Sequence, residues 1–383
     1  MKRFDMFNRL NRGMVLILAI LFLSACGALI ESPAAVGELP TAVVVVTERA
    51  PEELQPAHEV SGLVFTNAEG TWWVDWEGEV SLLTPFGQAR VSPDGRQLAY
   101  TLSDPDTYLG DIWLEELVSG ERRNLTNTPD RDETTPMWIP GQPDALLFGS
   151  DTEAGMENAM YPTLVLIDGN GYEILDQTTG GLRGISPQGQ IFFYGGLDAT
   201  LLMYSWDGET VVFDPSAYGL DVAKLFQPVM SPDGRIVASF VAVPFGENGE
   251  NQLGLAVFDL EAQSAQLMHI YQPLGGSMFN NDLVWSPDGA WLAFTTYAEP
   301  PASGRAPNLW VIRPDGSDET YVGEGSVPVW RYDAGLLAFQ GLNDTQMEVV
   351  FLAERDTWQV HRVSDVNFPE RIQFLWDWLN PQP

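Results

Sequence analysis

Short apolar runs, separated by tight polar turns, follow one another along the chain from about residue 59 to residue 380. The clearest unit reads VSPDGRQLAY at 91–100, and it recurs as VMSPDGRIVASF at 229–240 and as LVWSPDGAWLAF at 283–294. The runs are rich in β-branched and aromatic residues, and no segment after residue 25 has helical periodicity. The pattern predicts an all-β fold built from repeated short strands.

Weaker copies of the unit lie between and after the clear ones. They read MWIPGQPDALLF at 137–148, GISPQGQIFFY at 184–194 and VWRYDAGLLAF at 329–339. After each second run, a loop leads to an aromatic-rich third run and a short fourth run, as in DIWLEEL followed by RRNLT. Four short strands in a unit of about 45 residues are typical of a β-propeller blade.

The two ends of the repeated region complement each other. The region opens at 62–84 with a second, third and fourth strand, and it ends with the lone run QFLWDW at 373–378, which matches the first strands. We therefore expect the C-terminal strand to complete the N-terminal blade and to close a ring of seven four-stranded blades, with six or eight blades as alternatives. The predicted domains are a signal peptide (1–25), a tether (26–57) and the propeller (58–383).

The repeated SPDG turn has the chemistry of a hairpin corner. Its Gly takes a positive φ, its Asp side chain caps the turn backbone, and its Pro ends the first strand. We interpret the motif as architecture. The alternative is a ring of Asp carboxylates that binds cations.

These turns and the apolar runs after them resemble the TolB-type, WD40-like propeller repeat. The matching residues are Ser92–Gly95, Ser231–Gly234 and Ser286–Gly289. The resemblance implies a β-propeller over about residues 59–380. It leaves the function open, since such propellers serve as scaffolds, receptors and enzyme domains. TolB itself has six blades behind an N-terminal domain, whereas the count here is seven.

The N-terminus has the organisation of a secretory signal. Four basic residues within the first 12 positions precede the apolar run MVLILAILFL at 14–23, which is too short to span a bilayer as a helix. The following LSAC resembles the lipobox of bacterial lipoproteins, which implies that Cys26 is acylated and becomes the first residue. The expected location is extracytoplasmic, lipid-anchored to the cell membrane, or to an outer membrane where the source has one. The alternative is an uncleaved membrane anchor.

The formal net charge of −34 argues against a nucleic-acid partner, because such a surface repels phosphate backbones. It suits a soluble, monomeric protein and a cationic partner. The lone cysteine excludes an internal disulfide and a Cys-based zinc site, and the three histidines are far apart in sequence. No nucleophile elbow, metalloprotease or phosphate-loop motif is present. The sequence thus predicts no catalytic residue and no cofactor, with calcium as the alternative.

Loop lengths divide the predicted disc into two faces. The first-to-second and third-to-fourth turns are tight, whereas the second-to-third loops and the connections between blades are long, and long loops on a rigid ring are where binding is expected. The candidate binding residues in these long loops are Tyr108, Asp132, Glu133, Tyr161, Tyr218, Phe245, Phe279, Asn281, Asp282, Tyr297 and Arg305.

Three functions remain open from the sequence. The first is an envelope-anchored binding module for a protein, peptide or glycan. The second is an extracytoplasmic hydrolase or lyase with a carboxylate- or calcium-based site in the central channel. The third is a mainly structural envelope protein with no small ligand.

Overall fold

The computed structural model describes residues 54–55, 61–75, 78–87, 89–92, 94–139, 142–151, 160–166, 172–174, 182–185, 191–194, 201–204, 210–245, 250–271, 282–297, 306–345, 347–363, 368 and 374–378. These residues form strands and one short 3-10 helix, Pro215–Tyr218, so the all-β prediction is confirmed. Within them, no helix is long and apolar enough to cross a membrane.

In chain order the first strands are β1 (Leu54–Gln55), β2 (Leu63–Asn67), β3 (Gly70–Val74), β4 (Val80–Thr84), β5 (Arg90–Val91), β6 (Gln97–Ser103), β7 (Gly110–Glu116), β8 (Arg122–Asn124), β9 (Asp132–Ile139), β10 (Gln142–Asp151), β11 (Met160–Leu166), β12 (Tyr172–Ile174), β13 (Leu182–Ile185) and β14 (Ile191–Tyr194). The later strands are β15 (Leu201–Tyr204), β16 (Thr210–Phe213), β17 (Lys224–Met230), β18 (Ile236–Phe245), β19 (Glu250–Asp259), β20 (Ser264–Tyr271), β21 (Leu283–Trp285), β22 (Leu292–Thr296), β23 (Asn308–Ile312), β24 (Thr320–Glu324), β25 (Ser326–Trp330), β26 (Leu336–Leu342), β27 (Glu348–Glu354), β28 (Val360–Val363) and β29 (Phe374–Trp378).

The described strands form seven antiparallel sheets that follow one another along the chain. Sheet 1 has the order β29-β2-β3-β4. Sheets 2 to 6 are β5–β8, β9–β12, β13–β16, β17–β20 and β21–β24, and sheet 7 is β25–β28 with β1 added in parallel at its outer edge. The C-terminal strand therefore pairs with an N-terminal one, for example Leu63 with Trp378.

In the SPDG turns, the Ser and Asp side chains form hydrogen bonds within the turn itself. The Ser92 hydroxyl donates to Asp94 Oδ1 at 2.6 Å and accepts from the Gln97 backbone N–H at 2.9 Å, and Gly95 has φ +69°. The turns that begin at Ser231 and Ser286 repeat these contacts. The motif thus sets the corner between the first and second strands.

Tryptophans at the ends of first strands join neighbouring sheets. The indole N–H of Trp138, in sheet 3, donates to the Arg90 carbonyl of sheet 2 at 2.9 Å. The indole of Trp285, in sheet 6, makes the same contact with Val229 of sheet 5 at 3.2 Å. Each bond satisfies a buried donor and fixes the spacing of two sheets.

The hydrophobic core lies between the faces of successive sheets. Leu63 and Phe65 of sheet 1 pack with Leu336 and Leu352 of sheet 7, and Leu375 of β29 joins them. Comparable clusters lie between sheets 1 and 2, 2 and 3, 4 and 5, 5 and 6, and 6 and 7. At these six joints, neighbouring sheets therefore stack face to face in chain order and share a core.

Candidate functional site

One set of sheet ends carries the second-to-third strand loops and the connections from sheet to sheet. We call it the long-loop face, and its described residues are 67–70, 84–87, 89–90, 103–110, 124–132, 213–224, 282, 296–297, 324–326, 342–345 and 347–348. The tight turns lie at the opposite ends of the strands, which we call the tight-turn face.

Tyr108 is the most exposed large apolar residue on the long-loop face, with 80% of its surface accessible. Its loop is held by Asp104, whose carboxylate accepts from the backbone N–H groups of Asp106 and Thr107. The hydrogen bond from Thr107 lowers the pKa of Asp104. Because the Tyr108 N–H also bonds to the Asp104 carbonyl at 2.8 Å, the tyrosine is presented by an ordered loop, with φ +62°.

A second loop of the same kind presents Met347, which the sequence analysis missed. The Asn343 side-chain oxygen accepts from the N–H groups of Thr345 and Met347, and the Asn343 N–H bonds to the Met347 carbonyl at 2.9 Å. Met347 is 60% exposed. An Asx residue followed by polar residues signals such a turn, but it does not signal which side chain the turn displays.

Tyr297 and Asp282 lie near each other at the ends of sheet 6. Asp282 Oδ2 accepts the Val327 backbone N–H of sheet 7 at 2.7 Å, and burial raises the pKa of this carboxyl. Burial, together with the nearby Asp282, also raises the pKa of Tyr297, which remains 43% exposed. Asp282 thus joins two sheets, whereas Tyr297 is free to contact a partner.

Glu133 and Asp132 occupy the joint between sheets 2 and 3. Glu133 is 1% exposed and accepts a short hydrogen bond from the Thr128 hydroxyl, and its Oε2 has no partner. Burial raises the pKa of Glu133. Asp132 Oδ1 accepts the Gly110 N–H at 2.9 Å. Both acids therefore form hydrogen bonds that stabilise the joint between sheets 2 and 3.

Tyr218 is a packing residue. It lies in the 3-10 helix, with its ring 4.9 Å from the ring of Phe213 and 6.1 Å from that of Phe258. Burial raises the pKa of its hydroxyl.

Five further candidates are described only in part or not at all. Tyr161 and Phe245 lie in β11 and β18 with only their backbone described, and Phe279, Asn281 and Arg305 lie outside the described residues.

The described part of the long-loop face carries more exposed acidic than basic side chains. Its exposed carboxylates are Glu69, Asp104, Asp106, Asp130, Asp214, Asp221, Asp344 and Glu348. In the described part of this face, the basic residues Arg90, Arg131 and Lys224 are only partly exposed. Of the described arginines, the exposed ones, such as Arg96 and Arg235, lie toward the tight-turn face, where both have acidic neighbours. The charge favours a basic partner at the long-loop face.

Across the described chain, no group of three or more His, Cys, Asp and Glu side chains is arranged to hold a metal ion.

Comparison with known proteins gives structural similarity alone. No family model matches the sequence, and no curated protein matches it significantly. Similar solved structures include oligogalacturonate lyase from Vibrio parahaemolyticus, with 14% identity, a TM-score of 0.48, and coverage of 71% of this chain and 73% of that one. TolB from Acinetobacter baumannii matches with 14% identity, a TM-score of 0.42, and coverage of 79% and 78%. Dipeptidyl peptidase 4 from Porphyromonas gingivalis matches with 12% identity, a TM-score of 0.46, and coverage of 72% and 46%. At these values the similarities do not identify an activity.

Proposed function

We propose that the protein is a lipid-anchored envelope protein whose seven-bladed β-propeller binds a protein, peptide or glycan on its long-loop face. The observation that carries the proposal is the ordered display of Tyr108 among exposed carboxylates. Exposed aromatic side chains on a rigid loop bind at a low cost in conformational entropy, and the surrounding acids select basic groups. The partner class that fits best is a basic segment of a protein or peptide.

The propeller ring is supported by the order in which the sheets pack. Sheet 7 shares a core with sheet 1, which contains both β2 and the C-terminal β29, and the shared cores continue through the other described pairs. For sheets 3 and 4, the strands at the joint include side chains that lie outside the described residues. A ring of seven blades accounts for this packing, because it leaves no sheet face uncovered at the chain ends.

The location follows from the N-terminal sequence. Acylation of Cys26 after removal of residues 1–25 would hold the propeller at an extracytoplasmic membrane surface by several acyl chains. Globomycin treatment, which blocks lipoprotein signal cleavage, should leave a longer precursor. Metabolic labelling with a radioactive fatty acid should mark the unchanged chain but not Cys26→Ser, and equal labelling of both would contradict acylation of Cys26.

The binding proposal is tested by capture from envelope extracts of the source organism. The bait is the chain with Cys26→Ser, beside a variant that also carries Tyr108→Ala and Met347→Ala. Because these side chains are exposed, their removal should leave the fold intact and reduce capture at least about tenfold, which corresponds to about 1.4 kcal/mol. Tyr332→Ala is the matched control, since Tyr332 is exposed in a tight turn on the other face. Equal loss in both variants would contradict a site on the long-loop face.

The hydrolase or lyase remains the second candidate function. The effect of calcium on the unfolding temperature distinguishes a calcium-dependent enzyme from the binding module. Thermal unfolding is measured with calcium and with a chelator. A binding module without a metal site should unfold at the same temperature in both. A shift of several degrees would favour a calcium-built site, because a ligand that binds only the folded state raises its stability.

A further inference from the structure

The N-terminal strand β1 is attached to the outer edge of a sheet that belongs to the far end of the chain. Leu54 pairs with Arg362 and Gln55 with Val363, in parallel, along the outermost strand of sheet 7. The chain then runs through residues 56–62 to Leu63, in the second position of sheet 1. The N-terminal segment therefore joins the propeller at the rim of sheet 7 before it enters sheet 1.

The C-terminal segment crosses the same joint. After β28 the chain leaves sheet 7 and returns as β29, the first position of sheet 1. On the way, the Phe368 ring packs against that of Phe65 in β2, with 5.3 Å between centroids. The joint between sheets 7 and 1 is thus bridged by two covalent crossings, and both run from sheet 7 to sheet 1 along the chain.

The strand pair lies directly beside the core of this joint. Val363, the partner of Gln55, is buried and packs in the cluster that contains Leu63, Phe65 and Leu375. The seven residues 56–62 can span at most about 28 Å between Gln55 and Leu63. A pull on the N-terminal segment is therefore borne first by β28 and only afterwards by β2.

We propose that Leu54–Gln55 is a strap, which fastens the N-terminal tether to the outer rim of sheet 7 and locks the joint between sheets 7 and 1. The strap shields the pair of β2 and β29 from a pull at the N-terminus, and it attaches the chain at Leu54 to the outer rim of sheet 7. It also covers part of an edge strand that could pair with another chain. The strap depends on the strand pairing alone, so it holds whether or not Cys26 is lipidated.

A cross-link tests the pairing. In a chain with Cys26→Ser, Leu54→Cys and Arg362→Cys place two thiols on directly paired residues, within reach of a disulfide. Mild oxidation should join them nearly completely, as peptide mass spectrometry would show. The control combines Leu54→Cys with Val212→Cys, which is 62% exposed on the outer strand of sheet 4. Failure of the first pair to cross-link, or equal cross-linking of both pairs, would overturn the strap.

Hydrogen exchange tests the locking. The oxidised and reduced forms of the Leu54→Cys, Arg362→Cys chain are compared, so that the sequence is identical. Oxidation should slow amide exchange in β2 and β29 by about fivefold, because a permanent strap suppresses opening of the joint. Exchange in β22 and β23 of sheet 6 should not change. If the disulfide forms and β2 and β29 exchange as before, the strap does not lock the joint.

Discussion

Ser286 is fully buried, and its hydroxyl acts both as a hydrogen-bond donor and as an acceptor. The hydroxyl donates to Asp288 Oδ1 at 2.7 Å and accepts from the Trp291 N–H at 2.9 Å, as Ser92 and Ser231 do in their own turns. Such hydrogen bonds contribute on the order of 1 kcal/mol each to the stability of the fold. A buried donor or acceptor that has lost its hydrogen-bond partner lowers the stability by more than that. Repetition of the motif therefore reflects turn stability, while exposed Tyr108 remains available for binding.

Glu133 should make stability depend on pH. Its pKa is raised by burial in the folded state, so folding favours the protonated form. The resulting stability is fully present below the unfolded pKa and is lost as the pH rises through the higher folded pKa. Glu133→Gln should therefore reduce the loss of unfolding free energy as the pH rises above the ordinary pKa of a glutamate, measured by urea denaturation at each pH.

The control for this prediction is Glu348→Gln, since Glu348 is exposed on the same face. It should leave the pH dependence close to that of the unchanged protein. If Glu133→Gln gives the same pH dependence as the control, burial of the Glu133 carboxyl does not contribute to the pH dependence of stability.

The first strands β9, β21 and β25 each carry a tryptophan that packs at the joint with the preceding sheet. Trp138 and Trp285 donate to carbonyls of the preceding sheet, whereas the buried indole N–H of Trp330 has no hydrogen-bond partner. The same residue type thus makes the inter-sheet bond at two joints but not at a third. This allows the hydrogen bond to be separated from the packing of the ring.

Trp138→Phe should cost more stability than Trp330→Phe. Both changes remove similar apolar area, but only the first breaks a hydrogen bond, the one from the indole N–H to the Arg90 carbonyl. The expected excess is about 1–2 kcal/mol in the free energy of unfolding. Equilibrium denaturation followed by circular dichroism measures both variants under the same conditions. Equal losses would show that the inter-sheet hydrogen bond contributes nothing.

The two ends of the chain meet in sheet 1, so the stability of the assembled sheets depends on a contact between residues more than 300 positions apart. Trp378, in β29, donates its indole N–H to the Ser61 carbonyl at 2.9 Å, and Leu375 is buried against Leu63 and Phe65. Closing so long a loop costs conformational entropy, which burial of this strand offsets.

Leu375→Ala should lower the free energy of unfolding by about 2–5 kcal/mol, because it opens a cavity in the core between sheets 7 and 1. Leu82→Ala, on the exposed side of the outer strand β4, should change it by less than about 1 kcal/mol. Chemical denaturation monitored by tryptophan fluorescence compares the two. A small effect of Leu375→Ala would mean that β29 contributes little to joining the chain ends.

The strands and the SPDG corners could be predicted from the sequence because their determinants are local. β-Branched and aromatic runs favour extended backbone, and Asp94 and Gly95 form their turn with residues a few positions away. The pairing of QFLWDW with the N-terminal sheet was also predictable, since a first strand was missing there.

The candidate site was predictable only as a set of loops. The sequence predicts loop positions for Tyr108, Glu133 and Asp282 alike. In the structure Tyr108 is exposed, whereas Glu133 is buried and Asp282 half-buried at joints between sheets. Met347 gave no signal in the sequence. Exposure depends on which neighbouring sheet covers a side chain, and that is a property of packing between distant segments.

The sequence by itself thus determined the strand class, the repeat and its turns, because these depend on neighbours along the chain. Only the tertiary structure decided which long-loop residues are free to bind, that β1 lies on the edge of sheet 7, and that Trp330 differs from Trp138. Each of these depends on contacts between segments that lie far apart in sequence, and hydrophobic patterning leaves such contacts undetermined.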